Sequence, residues 1–176
     1  MLTLEANGLC IRPFENADGA AFVTATLESV STVGAWMSWC YKGYTLRDAE
    51  QWIAACSEKL ASKLAYDVGI FAADGKDLLG GIAINQLNLR QNFGNIGYWV
   101  RQSRQRQGIA TRAARAIAAY GFGELKLTRL EIVAPEANAP SRAVAAKLGA
   151  VFECIARNRV MVHGKPQSAA VYSLIP

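Results

Sequence analysis

The segment 101-RQSRQRQGIATRAAR-115 sets five arginines and no acidic residue around one glycine, Gly108. A strand-like stretch precedes it and a helix-like stretch begins at Ile109, so the unpaired N–H groups and positive dipole end of a helix are expected at the strand's tip. Such a junction binds anions. Gly108 lets the backbone approach a ligand where a side chain would intrude, and the small Ala110 keeps the first turn open. Arg104, Arg106 and Arg112 can add charge-assisted contacts to phosphate. The two other phosphate loops, G-x-x-x-x-G-K-[ST] and G-x-G-x-x-G, do not occur at this junction.

The distribution of charge favours a local anion site over a polynucleotide track. The chain carries 19 Lys and Arg against 14 Asp and Glu, and with five of the basic residues in this one segment the remainder is formally neutral. No aromatic residue is interleaved between Arg101 and Arg115, as single-strand binding would require, so direct nucleic-acid binding is not expected. With 176 residues, 52% of them hydrophobic, the chain should form one domain over 1–176. No apolar run is long enough to cross a membrane, and Met1 to Cys10 lacks the pattern of a secretion signal, which points to the cytoplasm. Cys10, Cys40, Cys56 and Cys154 are widely separated and accompany a single histidine, so they read as small buried thiols and not as a metal site or disulfide framework. His163, in the turn-like "VHGKPQ", reads as a surface residue. Catalysis that requires a histidine base is therefore not expected.

The elements that would position this segment alternate along the chain. Residues 9–14 read as a strand ending near Pro13, 16–27 as a helix, and 29–44 as an irregular aromatic stretch. A helix over 45–64 opens with Thr45 and Asp48 in capping positions and repeats Leu46, Ala49, Ile53 and Leu60 at helical spacing. Strands over 66–73 and 78–87 flank a "DGKD" turn, and a third strand covers 94–101. The helix after Gly108 buries Ile109, Ala113, Ala116, Ile117 and Tyr120. A strand over 128–134, a helix over 139–149 with Pro140 in its first turn and Gly149 at its end, and strands over 150–157, 159–163 and 168–175 complete a mixed α/β order.

Taken together, "Q-x-x-G-x-A" at Gln105, Gly108 and Ala110, preceded by 97-GYWV-100, resembles the acetyl-CoA-binding motif of the GNAT N-acetyltransferases. The similarity continues through "YGFGELKLTRLEIVAPEANAPSRAVAAKLGA". With 12-RPF-14, "WMSW" at 36–39 and "YTLRDAEQWI" at 44–53, it resembles the RimJ/RimL branch, which acetylates N-terminal α-amines of ribosomal proteins. The resemblance implies a central mixed, mostly antiparallel twisted sheet, splayed at the acetyl-CoA site, with helices on both faces. It also implies acetyl-CoA as cosubstrate and no metal, and it is compatible with a homodimer.

On that resemblance the pantetheine arm bonds backbone near Trp99, Val100 and Arg101, between strands 94–101 and 128–134. The pyrophosphate lies on N–H groups of Arg106, Gln107, Gly108, Ile109, Ala110 and Thr111. A backbone N–H near Val100 is the expected donor to the thioester carbonyl. Many relatives place a tyrosine seven residues after Asn138 to protonate the departing thiolate; here that position is Ala145. Ser141 is then the preferred hydroxyl, with Asn138 orienting the pantetheine or a water, and Tyr98 and Tyr172 as further candidates; a Ser141 that merely bonds its own helix is the bland alternative. Glu131 and Glu153 are the candidate bases, though each also reads as a strand-end or surface charge. An α-amine with a pKa near 8 needs about 3 kcal/mol less help to deprotonate than a lysine near 10.4, which suits a site without a strong base.

The aromatic residues Trp36, Trp39 and Tyr41, with Tyr44 and Trp52, fall where relatives build the acceptor wall, or else pack the helical layer. The leading expectation is acetyl transfer to a protein or peptide N-terminus, of ribosomal-protein type. A small amine, amino-acid or antibiotic acceptor is the alternative. A ribosome- or RNA-binding module with a vestigial acetyl-CoA site is the rival from another class. Ser168 stands where relatives often carry an acid.

Overall fold

The computed structural model describes residues 2–176; Met1, the first residue of the stretch read against a secretion signal, lies outside the described residues. The strands are β1 (Leu4–Glu5), β2 (Leu9–Arg12), β3 (Tyr66–Ala72), β4 (Leu78–Asn88), β5 (Phe93–Val100), β6 (Arg129–Pro135), β7 (Val151–Val162) and β8 (Lys165–Leu174). The helices are α1 (Gly19–Glu28), α2 (Leu46–Ala61), α3 (Ile109–Gly123) and α4 (Ala139–Lys147). The strands form one sheet in the order β1-β2-β3-β4-β5-β6-β8-β7. Every pairing is antiparallel except that of β5 with β6. This is the mixed, mostly antiparallel sheet expected.

Alternation along the strands gives each face its own core. Val68 of β3, Ile82 and Ile84 of β4, Ile96 of β5 and Leu130 and Ile132 of β6 pack with Ile109, Ala113 and Ile117 of α3. On the opposite face Phe71 and Leu78 meet Phe14, Phe22 of α1, and Ala49, Ile53 and Cys56 of α2. The α2 start is the expected capping box: Thr45 accepts from the Asp48 N–H, and the Asp48 carboxylate accepts from the Thr45 N–H at 2.8 Å. Its buried stripe is Ala49, Ile53 and Cys56. Leu46, expected on that stripe, sits in the first turn and is 49% exposed.

Three other expectations are corrected. The helix foreseen over 16–27 begins as a 3-10 turn at Asn16–Asp18, because Asp18 turns inward to take both guanidinium nitrogens of Arg12, at 2.8 and 2.9 Å. The strands expected separately at 150–157 and 159–163 are one strand, β7, whose register against β8 shifts between Ala156 and Val160, where Asn158 adopts φ 50°. β7 advances four residues there while β8 advances two, so the strand bulges without ending. Cys40 and Cys56 are buried thiols, whereas Cys10 is half-buried and Cys154 is exposed on β7.

Two glycines set how closely β4 and β5 approach. A Cβ on Gly80 would stand 2.2 Å from the Trp99 carbonyl oxygen, and one on Gly81 would stand 2.5 Å from the Trp99 indole nitrogen. Backbone cannot yield as a side-chain tip can. Gly80→Ala is therefore expected to cost about 1–3 kcal/mol, measured as a lowered urea midpoint at unchanged m-value.

Candidate active site

β5 and β6 pair only through Phe93–Asn95 and Arg129–Glu131. Beyond that point they diverge, and the gap opens into a cleft of about 970 Å³ lined by β5, β6, the start of α3 and one side of α4. Ladder alternation decides which backbone groups face it. The Arg101 N–H donates to Leu79 across the β4 side, and Trp99 lies opposite Gly81 with the same parity. Donors therefore turn to the cleft at Tyr98 and Val100 and not at Trp99 or Arg101. Of the three backbone positions expected, Val100 turns its N–H to the cleft and Trp99 and Arg101 do not, although the Trp99 side chain lines it.

At the cleft's mouth Gly108 starts α3 with φ 71° and ψ 9°, a left-handed conformation, and a Cβ there would meet nothing within 4 Å. The glycine is thus demanded first by its dihedral angle, and the open side faces the cleft. Arg106, Gly108, Ile109, Ala110 and Thr111 all line the cleft; Gln107 is exposed and does not. Gln105, which belongs to the motif but was given no role, donates its side-chain amide to the Val100 carbonyl at 3.0 Å and to Thr32 at 3.2 Å. It ties the loop to the strand end. Only hydrogen-bond accounting in three dimensions reveals that.

Most of the arginines have protein partners. Arg101 makes a two-pronged ion pair with Glu28, Nε to Oε1 at 2.9 Å and Nη2 to Oε2 at 2.6 Å, and its side chain turns away from the cleft. Arg104 pairs with Asp77 at 2.8 Å, Arg112 donates to the Asn7 carbonyl, and Arg115 reaches the Lys147 carbonyl at 3.4 Å. Arg106 has no such partner among the described residues and lines the cleft, as does Lys147, a cation that the motif did not single out.

Asn138 caps α4 by accepting the Ser141 N–H at 3.2 Å. The Ser141 hydroxyl donates to the Tyr98 oxygen at 3.1 Å, and the Tyr98 hydroxyl donates to the Ser141 carbonyl at 2.9 Å. Two hydroxyl candidates, 43 residues apart, are thus one hydrogen-bonded pair. Burial pushes the Tyr98 hydroxyl up to about 12, opposed by the bond from Ser141, so the phenol keeps its proton. Tyr172 is buried, accepts from Arg142 Nε at 3.1 Å and is absent from the cleft wall.

The aromatic residues divide. Trp36 lines the large cleft. Trp39 packs on Phe22 and Trp99, with ring centroids 5.9 and 5.3 Å away, and lines a second chamber of about 150 Å³ on the α1/α2 face. Tyr41 lines neither, because its hydroxyl bonds Asp48 on the surface at 3.2 Å. Tyr44 is core. The chamber and the cleft share Met37, Gly97, Tyr98 and Trp99, so they meet across β5. Neither Glu131 nor Glu153 is in their walls. Arg129 binds both, and its hydrogen bonds hold the Glu153 carboxyl down at about 2.

His163 does more than cover surface: its Nε2 donates to the Gly34 carbonyl at 2.8 Å and its N–H to Ser38 Oγ at 3.1 Å. These bonds latch the β7–β8 turn onto the 29–44 stretch, over the cleft. That stretch is itself ordered by the fully buried Ser29, whose hydroxyl oxygen accepts the Gln102 N–H at 2.9 Å and whose carbonyl accepts from Val33 and Gly34.

The Glu28–Arg101 pair anchors the loop that leads to Gly108, and its hydrogen bonds lower the Glu28 carboxyl from 4.5 to about 2. In that interval the unfolded chain binds the proton and the native chain does not, so this stabilisation is present above pH 4.5 and lost as the pH falls toward 2. Glu28→Gln should lower stability by about 1–2 kcal/mol at pH 7. In urea titrations the gap from the parent should close as the pH is lowered through that interval.

Comparison with known proteins agrees with this geometry. Residues 8–151 match the acetyltransferase (GNAT) domain family. "Probable N-acetyltransferase YjcK" of Bacillus subtilis (strain 168) is 32% identical over 135 residues, covering 75% of this chain and 74% of that protein. YdaF of the same organism, provisionally named a ribosomal N-acetyltransferase, is 36% identical over 98 residues; the match takes in 56% of this chain and 54% of YdaF, about half the length of each. A solved structure from Vibrio cholerae, provisionally described as a ribosomal-protein-serine acetyltransferase, is 32% identical with a TM-score of 0.89 over 99% of this chain and 98% of that one. RimL, the ribosomal L7/L12 alpha-N-protein acetyltransferase, solved in complex with coenzyme A, has a TM-score of 0.89 at 18% identity over 99% and 98% of the two chains, a likeness of fold. The chain belongs to the GNAT family of acetyl-CoA-dependent N-acetyltransferases.

Proposed function

We propose that this protein acetylates the N-terminal α-amine of a protein or peptide, of ribosomal-protein type, by direct attack of the amine with both substrates bound. The carrying observation is the meeting of the cleft and the aromatic chamber at Gly97–Trp99, where the open edge of β5 lies between them. One side suits a long anionic thioester and the other an amine. The printed names of YdaF and the Vibrio cholerae protein favour a ribosomal acceptor.

Acetyl-CoA fits the cleft on the chain's own chemistry: backbone donors of Tyr98 and Val100 lie along one wall, and the α3 N-terminus with Arg106 and Lys147 at its mouth suits phosphate. Arg106, Gly108, Ile109, Ala110 and Thr111 would hold the pyrophosphate, and Asn138 the far side of the pantetheine arm. When bound, acetyl-CoA supplies an acyl carbon activated by its thioester. The Val100 N–H, already aligned by the β4 ladder, donates to the acyl oxygen and needs no reorganisation to do so. Ser141 gives its hydroxyl proton to the departing sulfur and regains one from the second proton that the attacking nitrogen sheds. Tyr98, held neutral by burial, donates to the Ser141 carbonyl and accepts from its hydroxyl, which fixes the position of Ser141. Trp36 and Trp39 bound the acceptor's entrance.

A small-amine acceptor is favoured by one observation, the chamber's volume of about 150 Å³. An RNA-binding role finds less support, because Arg101, Arg104, Arg112 and Arg115 are engaged within the protein.

Purified protein with acetyl-CoA and a panel of acceptors, read as free thiol released, is expected to turn over Ser- and Ala-starting peptides. Turnover of small amines with none of peptides would reverse the assignment. Ser141→Ala should lower kcat by about 100-fold with little change in the KM for acetyl-CoA; unchanged kcat removes Ser141 from the mechanism. Gly108→Val forces a left-handed φ on a branched residue, at about 1–2 kcal/mol, and fills the cradle. It should weaken coenzyme A binding at least about tenfold, seen as a smaller thermal shift at equal concentration.

A further inference from the structure

The second chamber contains a carboxylate, that of Asp67. Asp67 lies on β3, opposite Ala83 of β4, which lies opposite Gly97 of β5. The three residues form one row across the α1/α2 face of the sheet, and all three line the chamber. Because Ala83 and Gly97 have almost no side chain, nothing on the sheet's surface stands between Asp67 and the point where the chamber meets the cleft. Phe14, Trp39, Trp52 and Trp99 wall the rest. Asp67 makes no ion pair or hydrogen bond among the described residues, yet its oxygens are not sealed off. An unpaired carboxylate in an aromatic enclosure is costly unless it meets a cation or a proton.

We propose that Asp67 is the residue that receives the acceptor's ammonium group and takes its proton, and that the chamber admits only a small first residue. The inference rests on the α-amine reading above and deepens it. Asp67 accepts one proton from R–NH3+, leaving a neutral amine. The nitrogen lone pair then forms the N–C bond as the C–S bond breaks, and the second proton lost from nitrogen balances the thiolate's protonation. Asp67 carries its proton out to solvent when product leaves.

The surroundings suit this chemistry. Burial raises the Asp67 carboxyl above its ordinary value, and Lys59 opposes the rise, which makes it a better proton acceptor than an exposed aspartate. Lys59 is drawn aside over the Trp52 ring, 5.1 Å from its centroid. Cys56, the other titratable group of α2 that senses Asp67, is pushed up to about 12 by burial and stays neutral. From the β2 side, Arg12 is committed to Asp18. The aromatic walls add favourable faces for an ammonium ion. At about 150 Å³, the chamber is well below the roughly 300–1,000 Å³ of drug-sized pockets, which suits Ser or Ala and excludes Phe.

The test compares the parent with Asp67→Asn, using acetyl-CoA and Ser-, Ala- and Phe-starting peptides. Asparagine removes a buried charge at constant shape, so a raised native carboxyl pKa predicts a variant at least as stable as the parent at pH 7, with an unchanged thermal shift from acetyl-CoA. Its kcat/KM for Ser-peptide should fall at least about 100-fold at pH 7. The deficit should narrow above about pH 8, where an α-amine is neutral in solution. By calorimetry with coenzyme A present, the parent should prefer the free-amine peptide over its N-acetylated form, and Asp67→Asn should lose that preference. A deficit under threefold, or one constant between pH 6.5 and 9, overturns the role of Asp67 alone. Equal rates on Phe- and Ser-peptides overturn the size selection. A parent that binds acetyl-CoA but acetylates no peptide overturns the α-amine reading and this assignment with it.

Discussion

A sheet that splits in the middle leaves two rows of backbone donors and acceptors without strand partners, and in the interior of a protein such groups need others. Here β5 and β6 part after three residue pairs. The rest of the site follows from keeping that gap open. α3 enters at the tip of one strand and α4 follows the other. Core residues Ile96 and Ile132 face each other at the fork. A ligand with its own amides and carbonyls is what an open ladder is shaped to receive.

The basic residues that marked the segment from the outset serve mainly to hold this geometry. Arg101 and Arg104 fasten the loop after β5 to Glu28 and Asp77, and Arg112 ties α3 to the turn before β2. The same loop is joined to the 29–44 stretch through Ser29, Gln102 and Gln105. His163 clasps the far end of that stretch. The loop before α3, the 29–44 stretch and the β7–β8 turn are consequently parts of one hydrogen-bonded unit.

Small residues do the complementary work on the sheet. Gly80 and Gly81 let β4 approach Trp99 closely, and Ala83 and Gly97 leave floor space between a carboxylate and the strand edge. Most of the bulk is supplied from opposite the sheet, by Phe14, Trp39 and Trp52. The chamber's shape is thus set by absence on one side and aromatic mass on the other.

Local chemistry was enough to read the helix start at Gly108, the Thr45–Asp48 capping box, the helix with Pro140 in its first turn, and the succession of strands and helices. Each depends on residues within a few positions of one another. Partners far apart in sequence were not legible. The pairing of Tyr98 with Ser141, the removal of Arg101 into an ion pair with Glu28, and the withdrawal of Glu131 and Glu153 to Arg129 all follow from which strand edges and helix ends meet. Period-two alternation shows that successive residues face opposite ways, but not which way is inward. Asp67 is hidden for that reason: in the sequence it is one acid in an apolar strand, and only the register β3-β4-β5 sets it beside Ala83 and Gly97.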